Sequence, residues 1–520
     1  MIDSVAHILR SQAQQRPSSV AISGEGRSIT YGELDARSNQ LANALRELGV
    51  HKGDRVAYLD RNATEFWETA FAAAKIGAVI TPLNFRLSAA EIATILRDAE
   101  PTAVVIADSV LAGLEPTWRP EPIATLVVGD RVVPTVANEF SYEDVLGAQD
   151  TPDPGGRATG SELAVLMYSS GTTGPPKGIR ITADNLLFGV ANFADEFTPD
   201  ESSSSLVSPP YYHIAASGWS LIAMNAGGRI VQVREPLPGT LLSLMIKERT
   251  THAALVPAII RIMVEMPEAW DADFSDLRTV VYGSSPIDPV LLARAVKLFD
   301  AEFTQSYGLT ETVGIGTLLR PADHVGADSS KLKSAGTAAT DVEVGIVDVE
   351  TGQSVATDEV GEIVIRGRQV TPGYWRRPEE TAALFLEGGW LRTGDAGRMD
   401  AQGYVYIVDR IKDIIVSGGE NIPPAEIEVV LMGHPGVLEA AVVGVPSERW
   451  GETPMAFVVR RPEATVTAPE LIEFCRDSLA HYKCPTSVEF VELLPRNPSG
   501  KVLRRELRRP YWAERDRSVG

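Results

Sequence analysis

The run YSSGTTGPPKG (168–178) is the part of the chain best suited to hold a polyphosphate. Ser169, Ser170, Thr172 and Thr173 surround Gly171 and Gly174, and Lys177 follows two prolines. Glycines let successive backbone amides approach phosphate oxygens, hydroxyls add donors and the lysine adds charge. The run is not the P-loop of NTPases, which needs Gly-Lys-Ser/Thr, because Gly178 follows Lys177. Ser, Thr, Gly and Pro also dominate ordinary surface loops, so composition alone leaves a purely structural loop open.

A strand-like run, ELAVLMY (162–168), leads into this loop. Upstream, apolar residues recur at helical spacing from Tyr31 to Leu48 and stop at Gly49. GDRVAYLD (53–60) reads as a strand, and FWETAFAAAKIGAVITPLN (66–84) as a helix followed by another strand. The alternation continues through EIATILRDAEPTAVVIA (91–107), which predicts an α/β fold with largely parallel sheets. No repeat with a period of 20–50 residues is present, which excludes a solenoid. After Arg410 the chain has its own alternation: AEIEVVLMGHP and APELIEFCRDSLAHY as helices; LEAAVVGVP, MAFVVR and SVEFVELLP as strands. The pattern predicts a large N-terminal domain of layered sheets and helices over 1–409 and a small α+β C-terminal domain over 410–520. Their boundary falls near Asp409–Lys412, while the Pro/Gly-rich runs TPDPGG (151–156) and SGGENIPP (417–424) punctuate the chain.

A chain of 520 residues exceeds what one hydrophobic core normally organises, so several packed units are expected. The formal charge, 48 − 69 = −21, argues against a nucleic-acid surface. Anionic ligands would have to be met by local cations and backbone amides. Cys475 and Cys484, nine positions apart, imply neither a disulfide framework nor a thiolate metal site, and a reducing cytoplasm is the simple reading. Asp, Arg and Gln near the N-terminus interrupt the apolar run that a secretory signal needs. No stretch reaches the ~18 apolar residues of a membrane span.

Taken in order, the short motifs resemble those of the adenylate-forming (AMP-binding) superfamily of acyl-CoA synthetases, adenylation domains and firefly-type luciferases. They are TYGEL (30–34), the 168–178 loop, PYYHIAASG (210–218), YGSSPI (282–287), YGLTET (307–312), GEIVIRG (361–367), WLRTGD (390–395), DRIKDIIVSGGENIPPAEIE (409–428) and PRNPSGKVLRREL (495–507). The resemblance spans essentially the whole chain and is nearest to bacterial fatty-acyl and related acyl-CoA synthetases.

The resemblance implies ATP, Mg²⁺ and coenzyme A as cofactors and a two-step reaction. A carboxylate attacks ATP to give an acyl-adenylate and pyrophosphate; a thiol then takes the acyl group and releases AMP. Ser284, Ser285 and Pro286 match the adenine wall, with Tyr307 and Gly308 beside the base. Tyr307 offers a flat face for stacking, Thr310 a hydroxyl near the phosphates, and Glu311 a hard carboxylate suited to Mg²⁺. Alone, Thr310 and Glu311 would also suit a helix start. Asp395 matches a ribose-binding carboxylate and Arg410 a second ribose contact; an Asp after Gly is otherwise a turn residue. Lys501 is assigned to the adenylation step, where a mobile cation bridges carboxylate and α-phosphate. In isolation it would be a solvated charge in an Arg-rich tail. Lys412 matches the hinge about which the mobile small domain rotates between half-reactions. Ser417, Gly418 and Gly419 are small enough to admit a pantetheine arm, although SGG also serves as a tight turn.

By the same resemblance the acyl pocket draws on Ala215, Ala216, Gly218, Trp219, Tyr282, Gly283, Gly308 and Gly314. The small Ala215, Ala216, Ser217, Gly218, Gly283, Gly308 and Gly314 suggest room for a bulky or long apolar acid, whether fatty, aryl or polycyclic/terpenoid. His213 is expected to gate the acyl carbonyl, with simple packing as the alternative. No acid stands in YYHIAAS where amino-acid adenylation domains carry one, so an amino-acid substrate is disfavoured. A carrier-protein pantetheine shares its arm with coenzyme A and is the alternative acceptor; a luciferase-like oxygenase shares the first step. A non-enzymatic binding protein would lack Lys501, Glu311 or Asp395, and all are present. Partners are thus a small carboxylic acid and a thiol; pairing into a homodimer stays open. The Arg504, Arg505, Arg508 and Arg509 cluster is expected to form a solvated helix face.

Overall fold

The computed structural model describes residues 3–114, 118, 123–129, 138–169, 176–285, 287–325, 331–418, 420–496 and 502–512. Of the expected site residues, Ser170, Gly171, Thr172, Thr173, Gly174, Pro286, Gly419 and Lys501 lie outside the described residues. The chain divides into two compact units, 1–344 with 365–391 and 345–364 with 392–520. The boundary expected at Asp409–Lys412 falls inside the second unit.

TYGEL is a helix start. Thr30 accepts from the Glu33 amide while the Glu33 carboxylate accepts from the Thr30 amide, opening the helix Tyr31–Glu47. Tyr31 is buried and donates to the Gly228 carbonyl. The next helix, Thr64–Ile76, buries nearly every residue, as its apolar circumference demands. Its charged residues survive because each meets an opposite charge: Glu65 with Arg27 at 3.1 Å, Glu68 with Arg37 at 2.6 Å and Lys75 with Asp35 at 2.6 Å.

Two sheets frame the first unit. Among the described residues one runs, in spatial order, Glu139–Ser141, Ala124–Val128, Ala103–Ala107, Arg55–Leu59, Val79–Pro82, Leu163–Ser169 and Lys177–Thr182. Its pairs are parallel except the last, where Ser169 lies opposite Lys177. The other runs Thr337–Ala338, Thr317–Leu319, Glu302–Tyr307, Thr279–Gly283, His252–Leu255, Ser204–Val207, Arg229–Gln232, Val20–Gly24 and Arg27–Thr30. A shared core takes Val56, Ile80 and Val165 from one sheet, Ile22, Val207 and Ile230 from the other, and helices between them. A separate core, with Leu206, Val280, Tyr282 and Phe303, covers the opposite face of the second sheet.

In the second unit Gly451–Arg460 pairs antiparallel with Val437–Ser447 and parallel with Ser487–Phe490. Ile427, Leu431, Leu471 and Cys475 from two helices pack on that sheet. Among the described residues no helix is long and apolar enough to cross a membrane.

Candidate active site

In the first unit the expected ligand residues follow the carboxyl ends of neighbouring parallel strands, where open α/β sheets bind ligands. Ser284 and Ser285 are exposed just beyond Thr279–Gly283. Tyr307 ends Glu302–Tyr307, and the half-buried residues from Gly308 to Glu311 continue from it. Gly308 has to be glycine, since a Cβ there would lie 2.3 Å from the Gly314 carbonyl carbon.

Glu311 sits in a short 3₁₀ turn, Thr310–Thr312, with unusual backbone after it. Val313 adopts φ +53°, a left-handed conformation costly for a β-branched residue. Its amide donates to Thr310 O at 3.1 Å, the Gly314 amide donates to Leu309 O at 2.8 Å, and its side chain is buried. The Glu311 carbonyl accepts from the Thr371 amide at 2.8 Å, and its carboxylate from the Tyr374 hydroxyl at 3.0 Å. Lys177 opens the strand Lys177–Thr182, and its ammonium lies 5.1 Å from the Tyr374 ring centre. Burial, then the neighbouring Glu311 charge, pushes the Tyr374 phenol well above its ordinary range, so it stays a donor. The sequence reading missed Thr371, Tyr374 and the strained Val313; TPGYW reads there as an ordinary Pro-Gly turn.

His213 is the residue before the helix Ile214–Asn225, with its ring 4.6 Å from that of Tyr212. Its Nε2 is shielded from solvent and has no hydrogen-bond partner among the described residues. Burial, aided by the Arg86 charge, lowers its pKa to about 4, so the imidazole is neutral at physiological pH. On the helix, Ala215 is exposed and Gly218 faces open space, three residues on. Ala216 and Trp219 turn instead into the shared core, where the Trp219 indole donates to Leu206 O at 3.2 Å. Tyr282 lies on the opposite face of the sheet, in the outer core, and bonds His324 at 3.0 Å. The period-two alternation of a strand explains this, because Val281 and Tyr282 must face opposite ways. Gly283 and Gly314 border the strand ends; a Cβ on Gly283 would strike Ser306 O at 2.4 Å. A further helical face, Ser217 and Leu221, lines an apolar cavity with Phe66, Trp67, Ala70 and Met167.

In the second unit Asp395 is buried and pairs with Arg410 Nε at 2.8 Å across an antiparallel strand pair. Lys412, in the turn Ile411–Asp413, has its pKa lowered by burial, opposed by Asp413. Ser417 lies opposite Glu420 in a hairpin. Gly418 has φ +60° and donates to Trp450 O at 2.8 Å; a Cβ there would press on the Trp450 ring at 2.8 Å. Arg504 is not the solvated residue expected. It grips Glu428 at 2.7 Å and lies 3.7 Å from Asp409 and 3.6 Å from Asp413.

Glu311 thus follows a strand of one sheet, Lys177 opens a strand of the other, and Asp395 is buried against Arg410 in the second unit. The family model for the AMP-binding enzyme matches residues 9–375, and that for the AMP-binding enzyme C-terminal domain matches 426–501. A fatty acid–[acyl-carrier-protein] ligase of Streptomyces coeruleorubidus is 38% identical over 98% of this chain and 96% of its own. A feruloyl-CoA synthase of an Amycolatopsis species is 38% identical over 96% and 97%. The solved o-succinylbenzoate CoA synthetase of Bacillus subtilis, holding an acyl-adenylate intermediate, superposes with TM-score 0.85 at 30% identity, covering 96% of this chain and 97% of that one. The chain belongs to the AMP-binding enzyme family and is an AMP-forming acid–thiol ligase working through an acyl-adenylate.

Proposed function

We propose that the enzyme activates a carboxylic acid with an apolar body, and that coenzyme A is the thiol acceptor. The apolar residues packed behind Ser217 and Leu221 carry the substrate reading: Phe66, Trp67, Ala70, Ile80 and Met167 offer no cation for a second carboxylate. In this reading Ala215 and Gly218 leave room near the reacting carboxylate, and neutral His213 covers it without adding charge. Tyr307, Ser284 and Ser285 flank the adenine, while Asp395 and Arg410 hold the ribose.

Magnesium fits the donors present. Glu311, oriented by the Tyr374 hydroxyl at 3.0 Å, offers a hard carboxylate to an ion otherwise held by phosphate oxygens and water. The ion would offset phosphate charge. Lys177 sits on the phosphate side, and Lys501 approaches the α-phosphate only for adenylation. Movement of the C-terminal domain about Lys412 then brings Ser417–Gly418 to the thiol path. Free, buried Cys475 and Cys484 accord with a reducing cytoplasm.

The carrier-protein relative, 38% identical, favours a second reading in which the acceptor is a protein-bound pantetheine. Pyrophosphate release, measured over fatty, aryl and polycyclic acids with and without coenzyme A, tests both. Acyl-CoA formed in step with AMP supports the first. Pyrophosphate that is indifferent to coenzyme A, with transfer to an added holo-carrier, replaces it by the second. Release with small hydrophilic diacids alone would overturn the apolar-acid reading.

A further inference from the structure

We propose that Tyr374 is a positioning residue that fixes the carboxylate of Glu311 and the ammonium of Lys177 relative to one another. The two groups come from different sheets: Lys177 opens a strand of one, and Glu311 follows a strand of the other. Tyr374 touches both. Its hydroxyl donates to Glu311 Oε1 at 3.0 Å, and its ring centre lies 5.1 Å from Lys177 Nζ. One side chain thus orients an anion with a neutral donor and a cation with an aromatic face.

The segment bearing Tyr374 is tied to both sides. Trp375 N donates to Gly178 O at 2.7 Å, Arg180 N to Gly373 O at 3.1 Å, and Thr371 N to Glu311 O at 2.8 Å. The Tyr374 amide itself donates to Thr381 Oγ1 at 3.0 Å. A cation and a carboxylate serving the same polyphosphate attract each other when no nucleotide is present. Contact between them would spend both groups, and a neutral residue holding each prevents it. The inference rests on the proposed role of Glu311 beside Mg²⁺.

Tyr374→Phe removes only the donor, whereas Tyr374→Leu also removes the ring. Binding of Mn²⁺ in the presence of a non-hydrolysable ATP analogue, followed by electron paramagnetic resonance, reads the metal side without turnover. Calorimetric titration of the analogue without metal reads the phosphate side, and thermal unfolding checks that each variant is folded. Tyr374→Phe is expected to weaken Mn²⁺ binding roughly tenfold while leaving metal-free nucleotide affinity unchanged. Tyr374→Leu should also weaken metal-free nucleotide binding severalfold. Combining Tyr374→Phe with Glu311→Gln should add little to Glu311→Gln alone. Wild-type Mn²⁺ binding by Tyr374→Phe, with Glu311→Gln impaired, would overturn the proposal and spare the assignment of Glu311. Wild-type binding by Glu311→Gln would overturn both.

Discussion

Glu311 in the first unit and Glu428 in the second are both carboxylates fixed by hydrogen bonds, but the donors differ in kind. Glu311 is half-buried and takes its bond from a neutral phenol, which orients a carboxylate without cancelling its charge. Glu428 is only 13% exposed at its side chain and is gripped by the Arg504 guanidinium, with the Val442 amide at 2.8 Å. Burial raises its pKa and Arg504 opposes the rise, as burial raises that of Asp409 against the same guanidinium. The first carboxylate keeps its charge, as the proposed role beside a ligand requires; the second is matched internally and fixes a shape. The same residue type thus keeps an uncancelled charge at Glu311 and is matched internally at Glu428.

The contrast is broken most severely at two basic residues close in sequence. Lys501→Ala should lower adenylation by roughly 10²–10³-fold and leave thioester formation from supplied acyl-adenylate nearly intact, read as separate half-reactions. Equal losses in both would remove Lys501 from its role. Arg504→Ala should instead act on folding, costing about 3–5 kcal/mol in denaturant unfolding of the second unit, because Glu428, Asp409 and Asp413 lose their common cation. A loss confined to catalysis, with stability unchanged, would erase the distinction between the clusters.

A smaller effect is expected at the hinge. Lys412→Pro should slow thiol transfer about tenfold more than adenylation, and parallel slowing would contradict movement about that residue. The smallest concerns His213. With a pKa lowered from 6.5 to about 4, it should not titrate between pH 6 and 8, so His213→Phe should keep the wild-type shape of the pH–rate profile there. Because the unfolded chain takes up that proton first, wild-type stability should fall relative to the variant as pH drops from 6.5 toward about 4. A wild-type inflection near neutrality that vanishes in His213→Phe would place a charged imidazole in the mechanism.

What was readable beforehand follows physical lines. The alternation of elements gave the α/β class, and Gly308 and Gly418 stand where a Cβ would collide, so motifs built on glycine carry their geometry in the sequence. TYGEL was readable as a motif but not as a helix cap with a buried tyrosine. Tyr374 was invisible because its partners, Glu311 and Lys177, are distant in sequence. Arg504 looked solvated among arginines because nothing local reveals that Glu428 and Asp409 converge on it. Tyr282 could have been placed correctly by counting alternate residues along its strand, which the motif reading passed over.

The most direct test of acyl-adenylate chemistry is isotopic. An accepted acid labelled with ¹⁸O in both carboxylate oxygens is incubated with enzyme, ATP, Mg²⁺ and coenzyme A, and the AMP is analysed by mass spectrometry. Attack of the carboxylate on the α-phosphate predicts AMP carrying one ¹⁸O atom. Unlabelled AMP released together with acyl-CoA would contradict the account.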